Sequence, residues 1–172
     1  MARERLSLKA RALMWLAQRE HSRTELRRKL LAAARKEQKE REAQRALAGE
    51  APDAAGCADP ERCVDQLLAW LEANRYLSEA RFVESRINAR AARYGNLRIR
   101  QELAQHGVTA DAATQQQLRE SELQRAQDVW RRKFGEPAGD PKERARQMRF
   151  LVQRGFSPEV VRRVVRDTDD IA

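Results

Sequence analysis

One short phrase occurs twice in the chain: Leu103-Ala104-Gln105-His106-Gly107-Val108-Thr109-Ala110-Asp111 returns 48 positions later as Leu151-Val152-Gln153-Arg154-Gly155-Phe156-Ser157-Pro158-Glu159. Each copy reads as a helix ending at a C′ glycine, an apolar residue packing back, a Thr or Ser N-cap, and an acid in the first turn of a second helix. A duplicated helix pair restricts the fold to repetitive helical scaffolds, which stack to bury their apolar faces and offer long surfaces to large partners.

The rest of the chain agrees with that restriction. Five prolines and seven glycines in 172 residues permit long helices, and no stretch alternates Val, Ile, Thr and Tyr as a strand would. The expected class is therefore all-α. Aromatics are 5% and charged residues 35%, so the core is expected to be thin and elongated. A formal charge of +9, carried mostly by arginine, favours nucleic acid, an anionic membrane or an acidic protein groove as partner. Cys57 and Cys63 lie without a nearby His or further Cys to complete a zinc site, so no metal or cofactor is expected. No signal peptide or membrane span is readable, which points to a cytoplasmic protein with both thiols reduced.

Apolar spacing predicts nine helices in three sets of three. Leu8, Ala12, Trp15 and Leu16 face inward on the first, which ends near Arg19. Ser22-Arg23-Thr24-Glu25 is a capping box opening the second, with Leu26, Leu30 and Ala33 inward. From Arg35 to Arg45 the second helix can continue only as a solvated rod or fray, and Gly49 to Gly56 reads as a loop, so residues 35–58 are an insertion. The third helix opens at Asp59-Pro60 and buries Val64, Leu67, Leu68 and Leu71; the fourth buries Ala80, Val83, Ile87 and Ala91. Ile99 and Leu103 mark the fifth, Thr109 starts the sixth, and Leu123, Ala126, Trp130 and Phe134 mark the seventh. The eighth buries Ala145, Met148, Leu151 and Val152, and the ninth Val160, Val161, Val164 and Val165.

No catalytic constellation is visible. There is no phosphate-cradling glycine loop and no Ser-His-Asp grouping, and His21 and His106 sit at helix ends as cations or surface residues. Arginine on repeated second helices remains: Arg23, Arg27, Arg28 and Lys29, then Arg98 and Arg100, then Arg144, Arg146, Arg149 and Arg154. Apolar positions four apart fix the inward faces and leave these pointing outward, toward an extended groove or a run of phosphates. The plainer account is that some of them pair with neighbouring Glu.

Asn74-Arg75-Tyr76-Leu77-Ser78-Glu79-Ala80-Arg81-Phe82-Val83, followed by Arg90-Ala91-Ala92-Arg93-Tyr94-Gly95-Asn96-Leu97-Arg98-Ile99-Arg100-Gln101-Glu102-Leu103-Ala104-Gln105-His106-Gly107-Val108, resembles the central signature of the bacterial regulatory protein RecX family. The stretches Ala12 to Leu30 and Lys133 to Ser157 are similar to that family's ends. Arg75 departs from it, standing where the family usually has glycine, so that helix end needs another way to reverse. The resemblance implies three tandem three-helix repeats in a curved, modular body: 1–77 with the insertion 35–58, then 78–120, then 121–172. It further implies a non-enzymatic negative modulator of the RecA recombinase that lodges in the groove of the RecA filament on DNA and inhibits ATP hydrolysis, strand exchange and coprotease action. The expected RecA/DNA-binding surface is Arg23, Arg27, Arg28, Arg98, Arg100, Arg144, Arg146, Arg149 and Arg154. A monomer is expected, with direct DNA contact weak or secondary, no membrane and no small-molecule substrate. The alternative is a sequence-nonspecific DNA-binding protein acting on DNA directly.

Overall fold

The computed structural model describes residues 6–48 and 59–169, and every regular element among them is a helix. In chain order these are α1 Leu8–Gln18, α2 Arg23–Ala48, α3 Pro60–Ala73, α4 Glu79–Ala91, α5 Asn96–Gln105, α6 Ala112–Lys133, α7 Pro141–Gln153 and α8 Pro158–Asp169. Eight helices stand where nine were expected, because the sixth and seventh are one. Arg119-Glu120-Ser121-Glu122 contains no Gly or Pro between Leu118 and Leu123, so nothing stops propagation. That helix starts after Asp111 rather than at Thr109, since the Asp111 carboxylate accepts the Thr114 amide at 2.7 Å.

The chain divides inside α4 into two compact units, 1–82 and 83–172. In the first, α2 packs on α1 and α3 around Ala12, Leu26, Leu30, Leu31, Ala34, Val64, Leu68, Leu71 and Leu77. Beyond Ala34, α2 runs on to Ala48 with no buried residue, as the solvated rod its charges imply. The loop reading for Gly49 to Gly56 lies outside the described residues. In the second unit α6, α7 and α8 pack around Ala126, Val129, Trp130, Leu151, Phe156, Val161 and Val164.

Some inward assignments shift. Ala80 is exposed and Phe82 is buried instead, because burying a phenyl ring removes far more apolar surface from water than burying a methyl group. Ala145 and Val152 are also exposed, while Gln147 is 1% exposed. Gln147 goes inside because the buried Trp130 indole needs an acceptor and donates to its Oε1 at 2.8 Å. His21, expected as a cation or a surface residue, is 1% exposed. Cys63 is disulfide-bonded rather than a free thiol; Cys57 lies outside the described residues.

Three helices end on the same hydrogen-bond pattern. After α5, Gly107 N–H donates to Ala104 O and Val108 N–H to Leu103 O; after α7, Gly155 donates to Val152 O and Phe156 to Leu151 O. After α3, Arg75 donates to Glu72 O and Tyr76 to Leu71 O. Each is a Schellman motif requiring a left-handed C′ residue. Gly107 and Gly155 supply it at φ 71° and 79°, and Arg75 adopts φ 61° in the third. The chain reverses without glycine, at the cost of a strained arginine.

Candidate functional site

The second unit builds its outward chemistry at the junction of α5 with the end of α7. Gly95 N–H donates to Arg154 O at 2.9 Å and Leu97 N–H to Gly155 O at 3.0 Å, so the carbonyls ending α7 cap the first turn of α5. The approach is backbone against backbone: a Cβ on Gly95 would fall 2.2 Å from Gly155 O, and one on Gly155 2.5 Å from Arg98 Cβ. Only glycine fits at both sides. Behind this contact Glu122, 5% exposed, accepts the Asn96 and Ser157 amides at 2.9 and 3.3 Å, placing one carboxylate at the positive ends of α5 and α8. Arg125 donates to Ala91 O, Tyr94 O, Leu118 O, Asn96 Oδ1 and Ser121 Oγ, tying α4, α5 and α6 together. Burial pushes its pKa down, opposed by the charge of Glu122.

This clasp gathers guanidinium groups on one ring. Arg98, Arg90 and Arg154 lie 4.8, 5.8 and 5.9 Å from the Tyr94 centroid, and Arg154 also lies 4.5 Å from the Phe150 centroid. Arg90 is spoken for by Glu102 at 3.0 Å. Arg98 and Arg154 meet no carboxylate among the described residues; Arg154 donates to Arg93 O at 3.2 Å. Two arginines held against aromatic rings, with their forks uncommitted to acid, are preorganised for the oxyanions of a partner.

The nine expected surface residues divide accordingly. Arg27 forks onto Asp65 at 2.6 and 3.0 Å, which raises its own pKa and holds the Asp65 carboxyl below the usual range, and Arg23 pairs with Glu72 at 2.9 Å. These two are paired with acids, but with acids on α3 rather than with a neighbouring Glu four positions along their own helix. Arg28 is exposed on α2. The structure brings Arg98 and Arg154 together; Arg100, Arg144 and Arg149 are exposed on α5 and α7, and Arg146 lies 5.9 Å from the Phe134 ring. Sequence reading missed Tyr94, Glu122 and Arg125. The signal of Glu122 and Arg125 is weak because they reach segments 26 and 34 residues away.

Among the described residues no group of three or more His, Cys, Asp and Glu side chains could hold a metal, and no helix is long and apolar enough to cross a membrane. An open hollow of about 670 Å³ beside α4 and α6 is lined by Asn88, Arg125, Asp128, Arg131 and Arg132. Arg125 and Arg132 both spend donors there on backbone carbonyls, which is architecture rather than a substrate cradle.

Two family models match the chain: the second three-helix domain of RecX over residues 78–115 and the third over residues 120–165. Regulatory protein RecX of Leptothrix cholodnii is 47% identical over 169 residues, covering 97% of this chain and 92% of that one. The protein of the same name from Ralstonia nicotianae is 44% identical over 171 residues, covering 98% and 92%, and that from Pseudomonas putida 40% over 172 residues, covering 96% and 94%. With all-helical units, matching three-helix domains and near full-length identity of this order, the chain belongs to the RecX family of regulatory proteins.

Proposed function

We propose that the protein is a negative modulator of the RecA recombinase, acting without catalysis of its own in recombination, DNA repair and the SOS response. It works in the cytoplasm as a monomer built of three repeats, 1–77, 78–120 and 121–172. It binds the groove of the RecA filament on DNA and inhibits ATP hydrolysis, strand exchange and coprotease action. The observation that carries this reading is the Tyr94 cluster in a RecX-family chain, where Arg98 and Arg154 are fixed against aromatic rings and left without an acid. A surface of that kind steers and orients an acidic partner rather than transforming a small molecule.

The test is RecA ATPase inhibition on single-stranded DNA by wild type and by Arg98→Glu/Arg154→Glu. Arg98 is exposed, so helix content by circular dichroism should persist while inhibition falls. A folded double variant that inhibits as wild type does would move the working surface elsewhere, first to Arg144, Arg146 and Arg149. A second reading, direct and sequence-nonspecific DNA binding, draws on the same cluster because phosphates suit guanidinium groups without an acid equally. Salt titration with DNA alone separates the two, since a phosphate binder loses affinity steeply with salt.

A further inference from the structure

The Schellman motif that closes α3 differs from its two counterparts in where it sends its aromatic residue. The residue after the left-handed position ordinarily packs back on the helix it ends, and Val108 and Phe156 do so at 5% and 1% exposure. Tyr76, at the same position after Arg75, is 48% exposed, while the next residue, Leu77, fills the core at 3%. Tyr76 is not adrift in solvent. Its ring stacks on Trp70, centroids 5.6 Å apart and planes 22° apart, and Lys9 Nζ lies 3.5 Å from the Trp70 centroid. Among the described residues Trp70 is the only partner of the Tyr76 ring, while the Tyr76 carbonyl accepts from Arg81 at 3.0 Å. One face is therefore seated and the other is open.

The residue before Tyr76 is a cation. Arg75 is exposed and its side chain meets no hydrogen-bond acceptor or acid among the described residues. The nearby acids are occupied: Glu72 pairs with Arg23 and Glu20 with Arg81. Arg75 also holds φ 61°, a conformation that glycine adopts freely. A solvent-facing aromatic backed by a second ring and adjoined by an unpaired arginine is the arrangement that stacks bases while holding phosphates. A duplex cannot use it, because its bases are already stacked on each other.

We propose that Tyr76, seated on Trp70, is a stacking site for an unpaired nucleobase of single-stranded nucleic acid, with Arg75 taking a flanking phosphate. This goes beyond the RecA reading and does not depend on it. The experiment uses the full chain without RecA and measures fluorescence anisotropy of three labelled probes: a 20-nucleotide oligo-dT strand, an abasic strand of equal length, and a duplex. Wild type should prefer oligo-dT over both others. Tyr76→Ala should weaken oligo-dT binding on the order of ten-fold, leave abasic binding and the salt slope unchanged, and be rescued by Tyr76→Trp. Arg75→Gly relieves the strained backbone, so folding is secure, and should lower the salt slope by about one. Equal binding of oligo-dT and the abasic strand, unchanged oligo-dT affinity in folded Tyr76→Ala, or no binding to oligo-dT would each overturn the proposal.

Discussion

His21 is the side chain whose environment departs furthest from its sequence context. Nδ1 lies 2.9 Å from Arg19 O, which can only accept, and Nε2 lies 3.2 Å from Lys29 Nζ, which can only donate. The two contacts together assign the neutral Nδ1–H tautomer. Burial, chiefly, lowers its pKa, with the charges of Arg19 and Lys29 in the same direction and the Arg19 carbonyl and Glu25 opposing. A folded pKa below the unfolded value means the unfolded chain binds more protons, so stability falls as pH drops through about 6.5. Thermal melts from pH 7.5 to 5 should show His21→Gln losing less stability over that interval than wild type; parallel curves would refute the buried neutral imidazole. Glu122 makes a second prediction at this scale. Glu122→Ala strands the buried Asn96 amide and the half-buried Ser157 amide and should cost about 1–3 kcal/mol in urea unfolding, with Glu122→Gln milder because an acceptor oxygen remains.

Helices register the same physics over longer stretches. Leu30, Leu103 and Leu151 are 0%, 2% and 0% exposed, and truncating any one to Ala should cost about 2–5 kcal/mol through lost burial and a residual cavity. Gly95→Ala should destabilise as well, because its methyl would meet the Gly155 carbonyl at 2.2 Å and pry α5 from the end of α7. A melting temperature equal to wild type would show that junction to be adjustable. What could be read beforehand tracks the range of each interaction. Leu26 and Leu30, or Ile99 and Leu103, declare their face because four-residue spacing of bulky side chains has one solution. Ala80 and Ala145 do not, because small residues gain little from either face. The Ser22 cap was legible, with the Glu25 amide 3.1 Å from Ser22 Oγ. Arg27 looked free because its partner Asp65 lies 38 residues on, and the Tyr94 cluster was hidden because Arg154 reaches the ring from a distant helix end.

For the molecule as a whole, net charge and working charge are different quantities. The first unit ties many of its arginines to acids: Arg11 to Glu37, Arg19 to Glu25, Arg23 to Glu72, Arg27 to Asp65, Arg35 to Glu61 and Arg81 to Glu20. Exposed pairs of this kind contribute little stability, yet each cancels its own field within a few ångströms. The pair at Tyr94 does not cancel, so it should dominate the short-range attraction of an acidic partner even though +9 is spread over the whole chain. Association with RecA filaments should then respond to position rather than to total charge. Arg41→Gln/Arg62→Gln removes two charges from exposed positions of the first unit and should associate nearly as wild type does at every salt concentration. Arg98→Gln/Arg154→Gln removes two charges and should slow association at low salt, with the difference closing as salt rises and the Debye length shortens. Stopped-flow association at several salt concentrations reads both variants directly. Equal slowing in the two would mean that the Tyr94 cluster carries no special weight, and the docking surface would have to be sought on α2 or α7.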